Sequence, residues 1–407
     1  RAILQDQTGF LWFGTGDGLN RYDGYTFEIY KKHPENSNSL SHNMIWSLWE
    51  DSSGILWIGT DMGLNSLDPQ TEQFRRYLND PGQSTSLSEN SVRSVCEDRY
   101  GELWIGTNSG LNRLDRETGE FQHFFASPGD EKSLSDNRIR SLFESSDGTL
   151  WVGTYHGLNR FDRESGTFIR YFPNPGDTPE YSQNRIRCIV QDKKGILWLG
   201  TNEGVHSFDP ESEVLNPAVA SQAGASSLCG ESIRTLLVDH AGDLWVGTTT
   251  GLSRFDQELG AFFCHRFDSE DPYSLSSNEI RSIYQDRGGI VWIGTYMGGL
   301  NKFNYNKTKF VHYHKDNIYP ARINHNEVRA FHEDESGQIW IGTNGGGLNV
   351  FEREKRVYSY YMAKANDPTS ISSNRIYAIF EDSSGTFWIG TNGSGLEKVV
   401  FSRSPRR

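Results

Sequence analysis

One position of this chain could do chemistry on a charged ligand. It is occupied by Arg1, Trp46, Arg93, Arg140, Arg187, Arg234, Arg281, Arg329 and Tyr377. Seven of the nine are arginine, in a protein whose net charge is −13. A guanidinium is permanently charged and presents a rigid fork of donors to carboxylates and similar anions. A ring of them would form a cationic collar, attractive to an acidic oligosaccharide, another anionic small ligand or a partner's carboxylates. The competing reading pairs each arginine with an acidic or backbone group of the neighbouring copy. Trp46 and Tyr377 break the pattern, and with Arg1 between them they would make an aromatic-cationic sector suited to stacking on a sugar. Two short loops, Tyr155-His156 and Tyr296-Met297, stand out against small polar residues such as Asn108-Ser109 and are expected at the same mouth. No other chemistry suggests itself. There is no glycine-rich phosphate loop and no metal-spaced histidine cluster. His312 and His314, two apart, read as surface residues. No catalytic residue, cofactor or metal is expected of this chain.

The elements that would hold the collar are announced by tryptophan. Trp12, Trp57, Trp104, Trp151, Trp198, Trp245, Trp292, Trp340 and Trp388 follow one another at spacings of 45, 47, 47, 47, 47, 47, 48 and 48, using nine of the chain's 11 Trp. A fixed period of this length marks a repeat architecture. The copy over residues 137–184 reads as four strands: A from Ile139 to Glu144, B from Leu150 to Thr154, C from Gly157 to Asp162, and D from Phe168 to Tyr171. Turns opening with Asp and closing with Gly join A to B elsewhere (Asp51 to Gly54, Asp98 to Gly101), as their backbone preferences allow. Four short antiparallel strands cannot bury both faces alone. Radial stacking of copies does so, which makes an all-β propeller of four-stranded antiparallel blades; a linear solenoid is the competing arrangement. The Trp of strand B then fills the wedge between blades, and the Gly after it admits a close neighbour.

Repeats fall at about 1–43, 44–90, 91–137, 138–184, 185–231, 232–278, 279–326, 327–374 and 375–401, with a tail over 402–407. Five linkers end in a Ser-Leu-Ser or Ser-Ile-Ser motif with an Asn just after it, as in Ser39-Leu40-Ser41 with Asn43 and Ser133-Leu134-Ser135 with Asn137. These read as a plug: the Leu tucks under the blade while Ser and Asn satisfy crossover backbone groups. The copies around Cys229 and around Ile323 depart from it. Cys96, Cys188, Cys229 and Cys264 show no Cys-x-x-Cys pair, so neither zinc nor a disulfide framework is indicated. The negative charge argues against a nucleic-acid partner. No apolar run approaches the roughly 18 residues of a membrane span, so no membrane contact by this chain is expected. No signal peptide is visible, and a start inside a strand suggests an excerpt of a longer protein.

Blocks such as Gly148-Thr149-Leu150-Trp151-Val152-Gly153-Thr154 and Gly157-Leu158-Asn159-Arg160-Phe161-Asp162 resemble the two-component regulator propeller repeat. The opening Gly9-Phe10-Leu11-Trp12-Phe13-Gly14-Thr15 resembles the first blade of those sensor regions. The resemblance covers essentially the whole chain. It implies the periplasmic or otherwise extracytoplasmic sensor of a hybrid histidine kinase or related membrane signalling protein, several of which sense oligosaccharides. A homodimer formed through the parent protein would accompany such a role. A protein-interaction scaffold without small ligand, and a propeller lyase or hydrolase, are the alternatives. Sensors of the family carry paired seven-bladed propellers, which nine repeats do not match. The even spacing favours one nine-bladed ring over residues 1–407; a seven-bladed closure plus two blades of a second propeller is the alternative.

Overall fold

The computed structural model describes all residues except 175, 177–183, 217–227, 257–260, 272, 305–322, 335, 353–356, 383 and 400–407. The histidine pair at 312 and 314 and the tail lie outside the described residues. Among the described residues nine antiparallel sheets follow one another along the chain, seven of four strands and two of three, and there is no helix. The fourth repeat is representative. Its strands are Ile139–Glu144, Leu150–Thr154, Gly157–Asp162 and Thr167–Tyr171, one residue from the sequence reading at a single boundary. Strands A of the other blades are Ala2–Gln5, Ile45–Glu50, Val92–Glu97, Cys188–Gln191, Ile233–Val238, Ile280–Gln285, Val328–Glu333 and Ile376–Glu381.

The tryptophans do more than fill space. Each indole N–H donates to the residue that opens the A–B turn of its own blade, as Trp57 does to Asp51 and Trp104 to Asp98, both at 2.7 Å. In blade 4 the acceptor is the Ser145 hydroxyl, at 3.0 Å. One aspartate therefore shapes the turn through backbone donors and also satisfies the buried indole, which would otherwise lose a hydrogen bond on burial. In blades 1 to 6 and in blade 8 the glycine two residues after the Trp is packed against the next blade. A Cβ on Gly59 would lie 2.8 Å from Val92, and one on Gly106 only 2.5 Å from Ile139. The close neighbour is thus the β-branched side chain that begins the next strand A.

The plug is built as the sequence suggests. Leu40, Leu87 and Leu134 are fully buried in the seams between consecutive blades. Asn65 Oδ1 accepts from the Ser41 backbone N–H at 2.8 Å, and Ser41 Oγ meets Thr60 Oγ1 at 3.0 Å. The same trio recurs as Ser88, Thr107 and Asn112, and as Ser135, Thr154 and Asn159. The departure at blade 6 has its own device. Cys229 replaces the plug serine and is bonded to Cys264 in strand D of that blade, with S–S 2.11 Å. This corrects the expectation of no disulfide. Two cysteines 35 apart in sequence meet because the plug returns alongside the outer strand of its own blade. Cys96 is free and buried, as a packing residue should be; Cys188 is free and half-buried.

The chain divides into two compact units, 1–306 and 307–407. In the first, strands A of blades 1 to 7 touch in sequence, and that of blade 7 touches that of blade 1. One inter-blade bond records the closure. At most seams the N–H after the turn-opening residue donates to a Glu or Gln that ends strand A of the next blade: Gln7 to Glu50 at 2.8 Å, Ser52 to Glu97 at 2.6 Å, Arg99 to Glu144 at 3.1 Å, Ser146 to Gln191 at 2.8 Å and His240 to Gln285 at 2.7 Å; blade 6 ends its strand A in Val238 and lacks the acceptor. For blade 7 the acceptor is Gln5, with Arg287 donating at 2.9 Å across 282 residues. Trp292 of blade 7 packs with Leu11 and Phe13 of blade 1. The single nine-bladed ring is therefore corrected to a seven-bladed one, the alternative weighed above. Blades 8 and 9 form the second unit, where their strands A pack side by side. Uniform spacing misled here because repeat length sets the size of a blade, whereas the angle between blades sets how many close the ring.

Candidate functional site: the collar at the channel mouth

The collar position is a bulge. In blade 4, Ile139 pairs with Thr154 and Ser141 with Gly153, so Arg140 is the extra residue. The same register shift isolates Trp46, Arg93, Arg234 and Arg281, and in the second unit Arg329 and Tyr377. In blades 1 and 5 regular pairing begins just after Arg1 and Arg187. A bulge twists the strand and re-aims one side chain. Because strands A are innermost in the ring, the re-aimed residues meet at one end of the channel.

Six arginines and Trp46 make the collar of the seven-bladed ring, and they fall into two arcs. Across blades 7, 1, 2 and 3, Arg93 and Arg281 are paired with carboxylates, whereas Arg1 has, among the described residues, an aromatic partner alone. The Arg1 and Arg93 guanidiniums lie over opposite neighbours' shared partner, the Trp46 ring, at 4.3 and 4.0 Å. The Trp46 indole donates to Asp61 at 2.7 Å, and Asp61 also pairs with Arg93 at 3.3 Å. Arg281 pairs with Glu279 and lies 4.8 Å from the Tyr296 ring. Trp46 is thus engaged by two cations. Blade 1 has blades 2 and 7 as ring neighbours, so closure does not bring Tyr377 beside Arg1 and Trp46. Tyr377 belongs to the second unit, where Arg329 lies 5.3 Å over its ring and pairs with Glu327.

Across blades 4, 5 and 6 the charges are largely unanswered. Tyr155 is surrounded by the guanidiniums of Arg138, Arg140 and Arg185 at 4.3, 4.4 and 3.6 Å from its ring centre. Its hydroxyl accepts from both Arg140 and Arg185. Arg138 is tied to Asp136, and Arg187 donates to the Asn202 amide oxygen at 2.8 Å. Among the described residues no carboxylate forms an ion pair with Arg140, Arg185, Arg187 or Arg234. Burial, then the neighbouring Arg185 and Arg234, pull Arg187 down to about 9. Burial again, with Arg140 and Arg234, pulls Arg185 to about 10 against the opposing effect of Tyr155. Burial resists ionisation of Tyr155, yet Arg140 and Arg185 bring its hydroxyl below the ordinary tyrosine value. Guanidiniums stay protonated at neutral pH, so Arg185 and Arg187 are buried cations whose pKa is lowered first by desolvation and then by neighbouring arginines, and an anion beside them would relieve both costs.

Sequence reasoning missed Arg138, Arg185 and Asp61. The two arginines sit between the plug Asn and the strand A Ile, a place read as linker, and Asp61 is the first residue of a B–C loop. Of the loop residues singled out, Tyr155 lies at the centre of the arginine arc. His156 packs instead on Phe172 at 5.1 Å between ring centres. Tyr296 and Met297 line a cavity of about 440 Å³ at the seam of blades 7 and 1, together with Arg1 and Arg281. Met297 is 90% exposed.

Comparison with known proteins places this geometry in a family. The two-component regulator propeller model matches residues 39–62, 86–109, 133–156, 180–203, 227–250, 274–297, 322–345 and 370–393, each span opening at the plug and ending in the B–C loop. The chain belongs to the two-component regulator propeller family. It is similar over 99% of its length to the extracellular domain assigned to a hybrid two-component system of B. thetaiotaomicron, with 27% identity and a TM-score of 0.65, covering 51% of that chain. A second such domain from the same organism gives 25% identity and a TM-score of 0.62, covering 97% of this chain and 50% of that one. A histidine kinase P4 of Formosa agariphila is 59% identical over 39 residues, 10% of this chain and 3% of that protein. The chain therefore spans about half the length of these solved domains and a small part of the kinase. A virginiamycin B lyase from Staphylococcus aureus shares the fold alone, at 13% identity and a TM-score of 0.55, with 74% of this chain and 93% of the lyase covered.

Proposed function

We propose that this chain is the extracytoplasmic sensing propeller of a membrane-bound two-component signalling protein, and that it binds an anionic, oligosaccharide-like ligand at the collar. The observation that carries the ligand reading is that Arg140 and Arg185 both donate to the Tyr155 hydroxyl while, among the described residues, neither they nor Arg187 and Arg234 form an ion pair with a carboxylate; burial holds all four below the ordinary guanidinium value, and neighbouring arginines lower them further. A carboxylate or sulfate would take the place of the missing counter-charge, with the Tyr155 hydroxyl as a polar contact. The Cys229–Cys264 disulfide supports an oxidising, extracytoplasmic setting. The catalytic output of the signalling protein belongs to modules beyond the collar, and a homodimer through those modules is the partner arrangement this role requires.

The test is calorimetric titration with uronic-acid and sulfated oligosaccharides beside neutral ones of equal length. Acidic sugars are expected to bind with affinity that falls as salt rises, and Arg187→Gln with Arg234→Gln to weaken binding at least tenfold. Equal affinity for neutral sugars, or binding indifferent to both substitutions, would overturn the reading in favour of an interaction scaffold.

A further inference from the structure

At three of the four seams between blades 1 and 5, a side chain closes the gap where the turn joining strands C and D meets the preceding blade. Where blade 2 meets blade 1, Glu72 of that turn reaches Arg21 at 3.4 Å and accepts from the Tyr30 hydroxyl at 3.3 Å. Where blade 5 meets blade 4, Glu213 does the same, with Arg160 at 2.9 Å and Tyr171 at 2.8 Å. Where blade 3 meets blade 2 the turn carries Gly119, and Arg75 covers it, 3.0 Å from where a Cβ would stand. At the seam of blades 3 and 4 the corresponding residue is Gly166, and a Cβ on it would meet nothing within 4 Å. The strand D tyrosine is replaced there too, by Phe124, which has no hydroxyl. The result is a cleft of about 560 Å³ at the end of the ring opposite the collar. Its floor is apolar: Phe124 and Phe161 lie with ring centres 5.6 Å apart. Its walls are polar and balanced in charge. Glu102 pairs with both Arg113 and Arg163, Asp98 also holds Arg163, and Arg113 donates to the Gln122 amide oxygen. Tyr100 stands 4.3 Å from the Arg163 guanidinium and is 64% exposed. Other blades of the ring carry small or polar residues at that place in the A–B turn, such as Ser53 and Ala241.

We propose that this cleft binds a residue of an uncharged sugar, stacked on Tyr100 above the phenylalanine floor, at a site separate from the collar. In the seams closed by glutamate, a carboxylate oxygen bonds the strand C arginine. Here Glu102 already supplies that charge to Arg113, so a second carboxylate would be repelled by it at close range. A hydroxyl has no such conflict: its oxygen accepts from Arg113 or Arg163 while its proton goes to Glu102 or Gln122. A pyranose also offers an apolar C–H face to an aromatic ring, and the cleft lies within the usual size of small-ligand sites. A second hollow of about 520 Å³ shares the Glu102, Arg113 and Gln122 walls and leaves room for the next sugar of a chain.

The experiment restores the missing side chain. Gly166→Glu copies blades 2 and 5, whose Glu72 and Glu213 hold the same left-handed backbone, with φ of 55° and 54° against 68° at Gly166. Neutral trisaccharides of glucose, galactose, mannose and xylose are titrated calorimetrically into the parent chain, Gly166→Glu and Tyr100→Ala, with melting temperature as the check on folding. At least one trisaccharide is expected to bind the parent with an affinity indifferent to salt. Gly166→Glu should abolish that binding, and Tyr100→Ala should weaken it about tenfold or more. Tyr100→Ala changes an exposed turn and decides the matter by itself should Gly166→Glu melt early. Gly166→Glu closes the cleft and leaves the collar, so acidic oligosaccharides should bind it as they bind the parent; their failure to bind either chain would count against the collar alone. No binding by any of the four neutral sugars would overturn the proposal, as would binding that survives both substitutions. Binding of N-acetylglutamate amide in their place would assign the cleft to an acidic side chain and overturn it too.

Discussion

At the scale of the residue, the Trp–Asp pair joins turn, strand and seam in one contact. Asp98 accepts from the Trp104 indole at 2.7 Å and from the Tyr100 and Glu102 backbone at 3.0 Å, and it pairs with Arg163 of the next blade. Burial works against its charge, but the bonds from Arg163 and Trp104 outweigh it and hold its pKa below the usual 3.8. Its contribution to stability is therefore present above about pH 4, where the unfolded chain would ionise, and is lost as pH falls through the lower folded value. Melting temperature should drop in that acid window, and Asp98→Asn should flatten the dependence while lowering stability at neutral pH. Trp104→Phe keeps the ring and loses one bond, costing about 1–3 kcal/mol; Trp104→Ala should cost about 3–5 kcal/mol in chemical denaturation. The wedge role of these rings was legible from their period. Their hydrogen bond was implicit in the constant spacing of six between turn residue and Trp, and needed the hairpin to become visible. The collar behaves differently. Arg187 and Arg234 are under-stabilised cations, so Arg187→Gln and Arg234→Gln are expected to leave melting temperature level or higher while removing anion binding.

At the scale of the element, the sequence pattern placed strands A to D and the plug closely, because each is defined by alternation and turn chemistry within a few residues. The bulge in strand A was not legible. Two residues opposing one is a property of a pair of strands, and Ile139, Arg140 and Ser141 look like unbroken alternation until Gly153 and Thr154 are set opposite. The disulfide was hidden for a related reason. Cys229 and Cys264 meet only when the plug folds beside strand D of its own blade, with Cα atoms 5.3 Å apart. Reducing it, or making Cys264→Ser, should lower unfolding free energy by about 2–4 kcal/mol, read as a shift of the denaturation midpoint under reducing conditions. Cys96, buried and pushed up to about 12 by burial, should resist alkylation in the folded state.

At the scale of the whole molecule, the first unit closes on itself and the second does not include a closed ring among its described residues. Residues 1–304 alone should unfold in one cooperative transition near that of the full chain. Residues 305–407 alone, with Phe331 78% and Leu396 68% exposed, should bind a hydrophobic dye and fail to melt cooperatively. Arg287→Ala removes the donors to the Asp6 and Gln7 carbonyls at the closing seam and should loosen it, seen as faster amide exchange in strand A of blade 1. By itself the sequence determined the all-β propeller, the four strands of each repeat, the tryptophan position and the family, because these follow from short-range periodicity repeated along the chain. Only the tertiary structure decided that seven blades close, that two cysteines bond, that Trp46 lies between two arginines, and which side of the collar keeps its charge. Those depend on angles and distances accumulated around the ring, and residues 282 apart in sequence settle them when Arg287 reaches Gln5.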